Sequence, residues 1–211
     1  MAATRVSFHL QGQRMIEPAR YFDVRSDFWQ GVFADAADYD AYLDASDPDR
    51  ARRWRDKERE IPGLDDVQRQ RLTGHNRRLN VLCLSGVWCG DCVRQGPMLR
   101  NLAEACGAVL RWVDREANVE LRDELRLCGA MRVPAVVFLT EDFWEIGRFG
   151  DRLLSVYRRK AENEVGAACA LPHATTPEGQ LAEEQAEWLD IFERMLLMAR
   201  LSPPLRERHG D

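Results

Sequence analysis

The sequence predicts an α/β fold: a central mixed sheet flanked by helices, with helical additions at both ends. Three observations carry this. Val81-Leu82-Cys83-Leu84 and Ala135-Val136-Val137-Phe138-Leu139 are short, continuous apolar runs of the kind that form strands buried on both faces. Helical stretches separate the first three strand candidates, which predicts parallel crossover units. A tight turn at Glu141-Asp142 joins the last two, which predicts an antiparallel hairpin.

The elements follow in order. Residues 1–63 form a charged, helical N-terminal extension. Phe22, Phe28, Trp29, Phe33, Tyr39, Tyr42 and Leu43 provide apolar anchors, several at helical spacing. They are read as core or docking contacts, or as a roof over a site. Ser46-Asp47-Pro48-Asp49 caps a helix with proline at its first position. The Arg50–Glu60 run behind it reads as a solvated face, and Ile61-Pro62-Gly63 breaks the chain. Residues 64–160 form the sheet-containing domain. A short helix runs from Leu64 to about His75, and the first strand follows Asn80. A helix covers about Gly90 to Ala105, with a kink expected at Gly96-Pro97. Val109–Asp114 is the second strand, Asn118–Leu127 a helix, Ala135–Leu139 the third strand and Phe143–Phe149 the fourth. Gly150-Asp151 opens a helix through about Lys160. Residues 161–211 hold a loop, a helix over Glu178–Arg200, and a tail after Ser202-Pro203-Pro204 that reads as disordered.

Composition bounds the function. The 211 residues are 45% hydrophobic and 31% charged, as in an ordinary globular chain with a core of useful size. The net charge is −5 and acidic residues intersperse the arginines, so nucleic acid is not an expected partner. No apolar run approaches bilayer length and the N-terminus lacks a leader pattern; no membrane association is expected, and the cytoplasm is the expected compartment. In that setting six cysteines (83, 89, 92, 106, 128 and 169) point to buried, catalytic or metal-binding thiols rather than a disulfide scaffold.

The chemistry concentrates at Trp88-Cys89-Gly90-Asp91-Cys92. Cys89 falls between a strand and the helix that follows. Unpaired N–H groups and the helix dipole favour an anion there, which lowers a thiol's pKa from about 8.5 toward neutrality. Cys92 lies one helical turn on and can close a disulfide with Cys89. Cys89 is therefore the expected nucleophile and the more exposed sulfur. Cys92 is the shielded resolving thiol.

These residues, with Pro97, Val133-Pro134 before a strand and Gly150 after the last strand, resemble the thioredoxin superfamily over roughly residues 64–160. The Gly-Asp dipeptide, with Asp114-Arg115-Glu116 and Phe149-Gly150-Asp151-Arg152, resembles a bacterial thioredoxin-like subgroup with a Trp-Cys-Gly-Asp-Cys site. The resemblance implies a thioredoxin-like fold and a cis Pro134 facing the two sulfurs. It implies a Val133 backbone that pairs with an extended substrate, and a substrate-binding rim of Trp88, Gly90, Asp91, Val133, Pro134 and Gly150. The implied activity is thiol–disulfide exchange, in the reductase direction, on a disulfide-containing protein or small molecule. Electrons come from a low-molecular-weight thiol or a reductase, and no bound cofactor is required.

The chain departs from the usual thioredoxin pattern at three positions. Cys83 stands where a buried aspartate helps deprotonate the second cysteine. Ser85 stands where a tryptophan is usual. Asp91 replaces the proline of the dipeptide; its carboxylate repels a neighbouring thiolate yet suits a helix N-terminus. These departures point to a specialised relative rather than a general thioredoxin.

Two other readings use the same residues. A binding module would keep the fold and hold a partner on the apolar rim. A zinc-stabilised domain would need ligands beyond Cys89 and Cys92, with Cys169 and His173 as the nearest pair. Pro97 reads as structural and Cys83 as a small core residue or a third redox thiol. Cys106, Cys128 and Cys169 read as buried or inert thiols.

Overall fold

A computed structural model describes residues 21–165 and 176–211. The elements run α1 Ser26–Asp35, α2 Tyr39–Asp44, α3 Pro48–Glu60, α4 Asp66–Leu72, β1 Asn80–Ser85, α5 Gly90–Cys106, β2 Val109–Asp114 and α6 Val119–Glu124. They continue with β3 Ala135–Leu139, β4 Glu145–Gly150, α7 Leu154–Val165, α8 Pro177–Leu201 and α9 Pro203–His209.

The four strands form one mixed sheet in the order β2-β1-β3-β4. β1 and β2 are parallel, joined across by α5, and β3 and β4 are antiparallel. The expectation of parallel crossovers through the third strand is corrected here: β3 runs antiparallel to β1. Asp114 and Ala135 both lie at the Ser85 end of β1, so the connection returns to the end it left. Its helix explains why. The six residues of α6 span about 9 Å at 1.5 Å per residue. A six-residue strand spans about 20 Å, so α6 cannot carry the chain to the far end of the sheet.

β1 is buried along its whole length, as its continuous apolar run requires. Alternation puts Cys83 and Ser85 of β1 on one face with Trp112 of β2, Phe138 of β3 and Phe149 of β4. That face packs on helices from both ends of the chain. Trp112 meets Tyr39, Tyr42 and Trp54, while Phe138 meets Phe192 and Phe149 meets Trp188. On the other face the Arg148 guanidinium sits 5.4 Å from the Trp29 ring of α1. Most of the predicted N-terminal anchors are core: Trp29, Phe33, Tyr39, Tyr42 and Leu43 are buried, while Phe22 is exposed.

The Arg50–Glu60 run is helical as expected, with Asp47 accepting from the Arg50 N–H and Pro48 in the first turn. Its arginines face solvent, but Trp54 in their midst is fully buried. α5 continues through Pro97, where Gly96 lies directly against the Trp54 ring.

α4 and α6 are each a few residues shorter than the sequence pattern, and three larger differences have identifiable causes or contacts. β4 starts at Glu145 because Phe143 takes a positive φ of 60° and the Trp144 N–H donates to Thr140 Oγ1. α7 starts at Leu154 rather than Gly150, because a distant side chain caps it: the Glu187 carboxylate accepts from the Leu154 and Ser155 N–H groups at 2.7 and 2.8 Å. The tail expected to be disordered forms α9, and Asp211 pairs with Arg77 and Arg200. Residues 1–20 of the N-terminal extension and most of the 163–177 loop, Cys169 and His173 included, lie outside the described residues. No helix among the described residues is long and apolar enough to cross a membrane.

Candidate active site

The site stands at the C-terminal end of β1, where the chain turns into α5. Cys89 is the N-cap of that helix, with extended backbone (φ −79°, ψ 124°), its N–H on Gly86 O and its carbonyl accepting from Val93 N–H. The Cys89 side chain makes no cap hydrogen bond, but the first-turn N–H groups of Asp91 and Cys92 favour its ionised sulfur. Cys89 is partly exposed and Cys92 is fully buried.

The two thiols are driven apart in acidity. A hydrogen bond from the Cys92 thiol is the main cause that brings Cys89 down from 9.0 to about 6, and the Cys92 and Asp91 N–H groups add to it. Burial and the Asp91 carboxylate work against this. For Cys92 the dominant cause is burial, which holds it well above 9.0. The bond it gives to Cys89 and the neighbouring Cys89 and Cys83 sulfurs push the same way, while the Ser85 hydroxyl opposes them. Cys83 is fully buried and raised by burial, so it sits beneath the pair as a neutral thiol.

The cis-proline segment meets this corner from the other side. The Val133–Pro134 peptide is cis, and the Cys89 thiol donates to Val133 O at 3.5 Å. Gly150 closes the arrangement: a Cβ at this position would come within 2.6 Å of the Pro134 carbonyl oxygen, so only glycine lets β4 approach so closely. Cys89, Cys92, Val133, Pro134 and Gly150, separated by up to about sixty positions in sequence, are thus brought together. Of the rim residues, Trp88 is 40% exposed, Gly90 is exposed and Asp91 is partly buried. Val133 and Pro134 are buried, so their side chains contribute little to the outer surface. The Trp88 indole lies against Gly86 on one side, with the Arg115 guanidinium 4.6 Å from its ring centre. Arg115 also donates to Met131 O, and Met131 adds an exposed apolar side chain.

Several residues at the site were given no role by the sequence, although Asp151 and Arg152 fall in the Phe149-Gly150-Asp151-Arg152 stretch that carried the resemblance. Arg152 pairs with Asp91 at 2.7 Å, so the charge of the carboxylate beside Cys89 is partly offset from the loop after β4. Asp151 is buried, with Arg132, Arg152 and the Tyr157 hydroxyl around it. Burial works against its ionisation, but these donors hold its carboxyl below the usual value. Gln95 is buried one turn beyond Cys92; it donates to Asp151 O and accepts from Trp188 Nε1. Arg94 forks onto the buried Glu184 of α8 at 2.6 and 2.9 Å. Trp54 of α3 donates to Val87 O at 3.0 Å and so holds the loop before Cys89. The pairings that span 33 to 93 positions leave no periodic trace, so only the folded chain reveals them. The remaining thiols are mixed. Burial pushes Cys106 up to about 11, whereas Cys128, expected to be buried or inert, is exposed on a loop with a φ of 50°. Among the described residues no cluster of three or more His, Cys, Asp or Glu side chains could hold a metal ion.

Solved structures share this architecture. A protein of unknown function from Pseudomonas aeruginosa matches with a TM-score of 0.56 at 21% identity, over 76% of this chain and 96% of that one. An HIV epitope scaffold matches with a TM-score of 0.56 at 20% identity, over 75% of this chain and 96% of that one. At such identities the likeness is one of fold. No curated protein matches the sequence. The family model described as thioredoxin matches residues 36–157, more than half of the sequence and all four strands, and the chain therefore belongs to the thioredoxin family.

Proposed function

We propose that the protein is a thiol–disulfide oxidoreductase of the Trp-Cys-Gly-Asp-Cys type, cycling the Cys89–Cys92 pair between dithiol and disulfide. The observation that carries this reading is the placement of the two sulfurs: a partly exposed Cys89 at the N-cap of α5, facing the cis Val133–Pro134 segment, above a fully buried Cys92 one turn on. Donors to Cys89 bring its pKa down, and burial holds that of Cys92 up. Such a pair presents one thiolate to substrate and keeps the other protonated until it is needed.

In the first step the Cys89 thiolate attacks one sulfur of a substrate disulfide. The Cys89–substrate bond forms, the substrate S–S bond breaks, and the other substrate sulfur departs as a thiolate that takes a proton from water. In the second step Cys92 attacks Cys89, the intramolecular disulfide forms, and the second substrate sulfur leaves carrying the proton that Cys92 gave up. Two electrons pass from the protein to the substrate, and a low-molecular-weight thiol or a reductase returns them. A Cys89 ionised at neutral pH is ready for the attack that begins the reductase direction. Trp88, Gly90, Asp91, Val133, Pro134 and Gly150 form the substrate surface of this reading. The substrate is a disulfide-containing protein or small molecule, and the cytoplasm is the compartment that suits it.

A Cys92→Ser variant tests the proposal. It should accumulate mixed disulfides at Cys89 when offered a disulfide substrate, seen as a mass increase on that residue alone. The proposal fails if no adduct accumulates and Cys89 alkylates no faster than the fully buried Cys83.

A further inference from the structure

Resolution of the mixed disulfide requires the Cys92 sulfur to take on negative charge where water does not reach. The groups that act most on it are Cys89, Cys83 and Ser85, and Cys83 is itself fully buried and neutral. The charge must therefore be met by a hydrogen-bond donor rather than by a neighbouring base.

Two buried hydroxyls are placed for this. Cys83 faces Trp112 and Ser85 faces Asp114 across the β1–β2 ladder, so all four side chains lie on the sheet face that α5 covers. Tyr42, contributed by α2 of the N-terminal extension, is fixed over that face. Its ring stacks on Trp112 (centres 5.8 Å apart, 22° between planes) and meets the edge of Trp54 at 5.8 Å. The Tyr42 and Ser85 hydroxyl oxygens are both enclosed, and neither has a partner at full hydrogen-bond distance and angle. They lie close enough to act on each other, and Ser85 acts in the same way on Cys92. Burying two unsatisfied hydroxyls costs stability. Their place beside a thiol that must ionise gives them an occasion to be satisfied.

We propose that Ser85 and Tyr42 form a buried hydroxyl chain that stabilises the Cys92 thiolate during resolution of the mixed disulfide. The Ser85 O–H donates to the Cys92 sulfur, and the Tyr42 O–H donates to Ser85 Oγ. The proton lost by Cys92 ends on the departing substrate sulfur, as in the reaction above. The groups facing the chain are Cys89 from the head of α5, Cys83 from β1 and Asp114 from the end of β2. Ser85 and Tyr42 are positioning residues: neither touches substrate. The inference rests on the exchange reading proposed above.

The test uses 5,5′-dithiobis(2-nitrobenzoate) on the full chain with Cys106, Cys128 and Cys169 replaced by serine, which leaves the fully buried Cys83 as the one thiol besides the pair. Attack by Cys89 releases one coloured thiolate and leaves a mixed disulfide, and attack by Cys92 releases the second. Ser85→Ala should slow the second release about tenfold at pH 7, the effect of losing a hydrogen bond to a charged group, and Tyr42→Phe about threefold, the effect of losing a bond to a neutral oxygen. The deficit should close as pH rises and Cys92 ionises without help. A loss of packing alone would instead slow both releases at every pH. The proposal is overturned if the second-release pH profile of both variants superimposes on that of the parent, or if their deficit is independent of pH. If the parent gives no fast first release, the exchange reading fails, and the hydroxyl chain with it.

Discussion

Replacing Cys92 tests whether the buried thiol, rather than the helix end alone, makes Cys89 acidic. The bond from the Cys92 thiol is the largest of the causes that lower Cys89 to about 6, ahead of the two first-turn N–H groups. A hydrogen bond to a charged group contributes about 1.5–3 kcal/mol. At 1.36 kcal/mol per unit that corresponds to about one to two pKa units. Cys92→Ala should therefore move the Cys89 midpoint from about 6 to roughly 7–8, while Cys92→Ser, which keeps a donor, should stay nearer the parent. The assay is alkylation by iodoacetamide as a function of pH, with the Cys89 peptide quantified by mass so that the exposed Cys128 does not contribute. The midpoint is the informative quantity, not the rate. At pH 7 a thiol with a midpoint near 6 is roughly 90% thiolate against about 1% at 9.0. Nucleophilicity falls with basicity at a Brønsted slope near 0.45, which returns about a twentyfold loss. The net gain is only a few-fold. A parent midpoint near 9, or an alanine variant indistinguishable from the parent, would refute the reasoning.

Three further outcomes follow from the same geometry. Arg152→Ala leaves Asp91 without its partner beside Cys89; the alkylation midpoint should rise by about half a unit to one unit, and restoring lysine should recover part of the shift. Gly150→Ala places a methyl 2.6 Å from the Pro134 carbonyl oxygen, a backbone atom with no rotamer to yield. Denaturant unfolding should show a loss of about 1–3 kcal/mol, together with slower mixed-disulfide formation. Alkaline pH should destabilise the reduced protein. Burial raises Cys83, Cys92, Tyr39 and Tyr42, and carries Cys106 up to about 11. A raised folded-state pKa contributes stability that is complete below the unfolded value and is lost as pH climbs toward the folded one. Melting temperature should rise from about pH 6 to about pH 8.5, where the lowered Cys89 is ionised in the folded state and still protonated in the unfolded one, and fall between about pH 9 and 11; a flat profile over the upper range would contradict the burial of these groups.

Much of the site was legible in the chain order because its chemistry is local. A cysteine at the junction of an apolar run and an amphipathic stretch becomes an N-cap wherever that strand and helix form. A second cysteine three positions later is carried one turn into the same helix. Val133-Pro134 and Gly150 were legible through resemblance, since nothing local says that two segments more than forty positions from Cys89 will come to face it. Strand direction was legible only in part. The hairpin at Glu141-Asp142 had no other direction open to it. The connection from β2 to β3 could have crossed the sheet, and the shortness of α6 decided that it did not.

The sequence by itself determined the α/β class, the strand cores and the placement of Cys89 and Cys92 at a helix start, because periodicity and capping act within a few residues. The tertiary structure alone decided the environment of those sulfurs. It brought Arg152 to Asp91, Trp54 to the Val87 carbonyl, and Tyr42 to the layer beneath Cys92. Each is a single contact between segments far apart in the chain. Such contacts are set by how whole layers pack, and hydrophobic pattern records only which face of an element is buried, not which partner it meets.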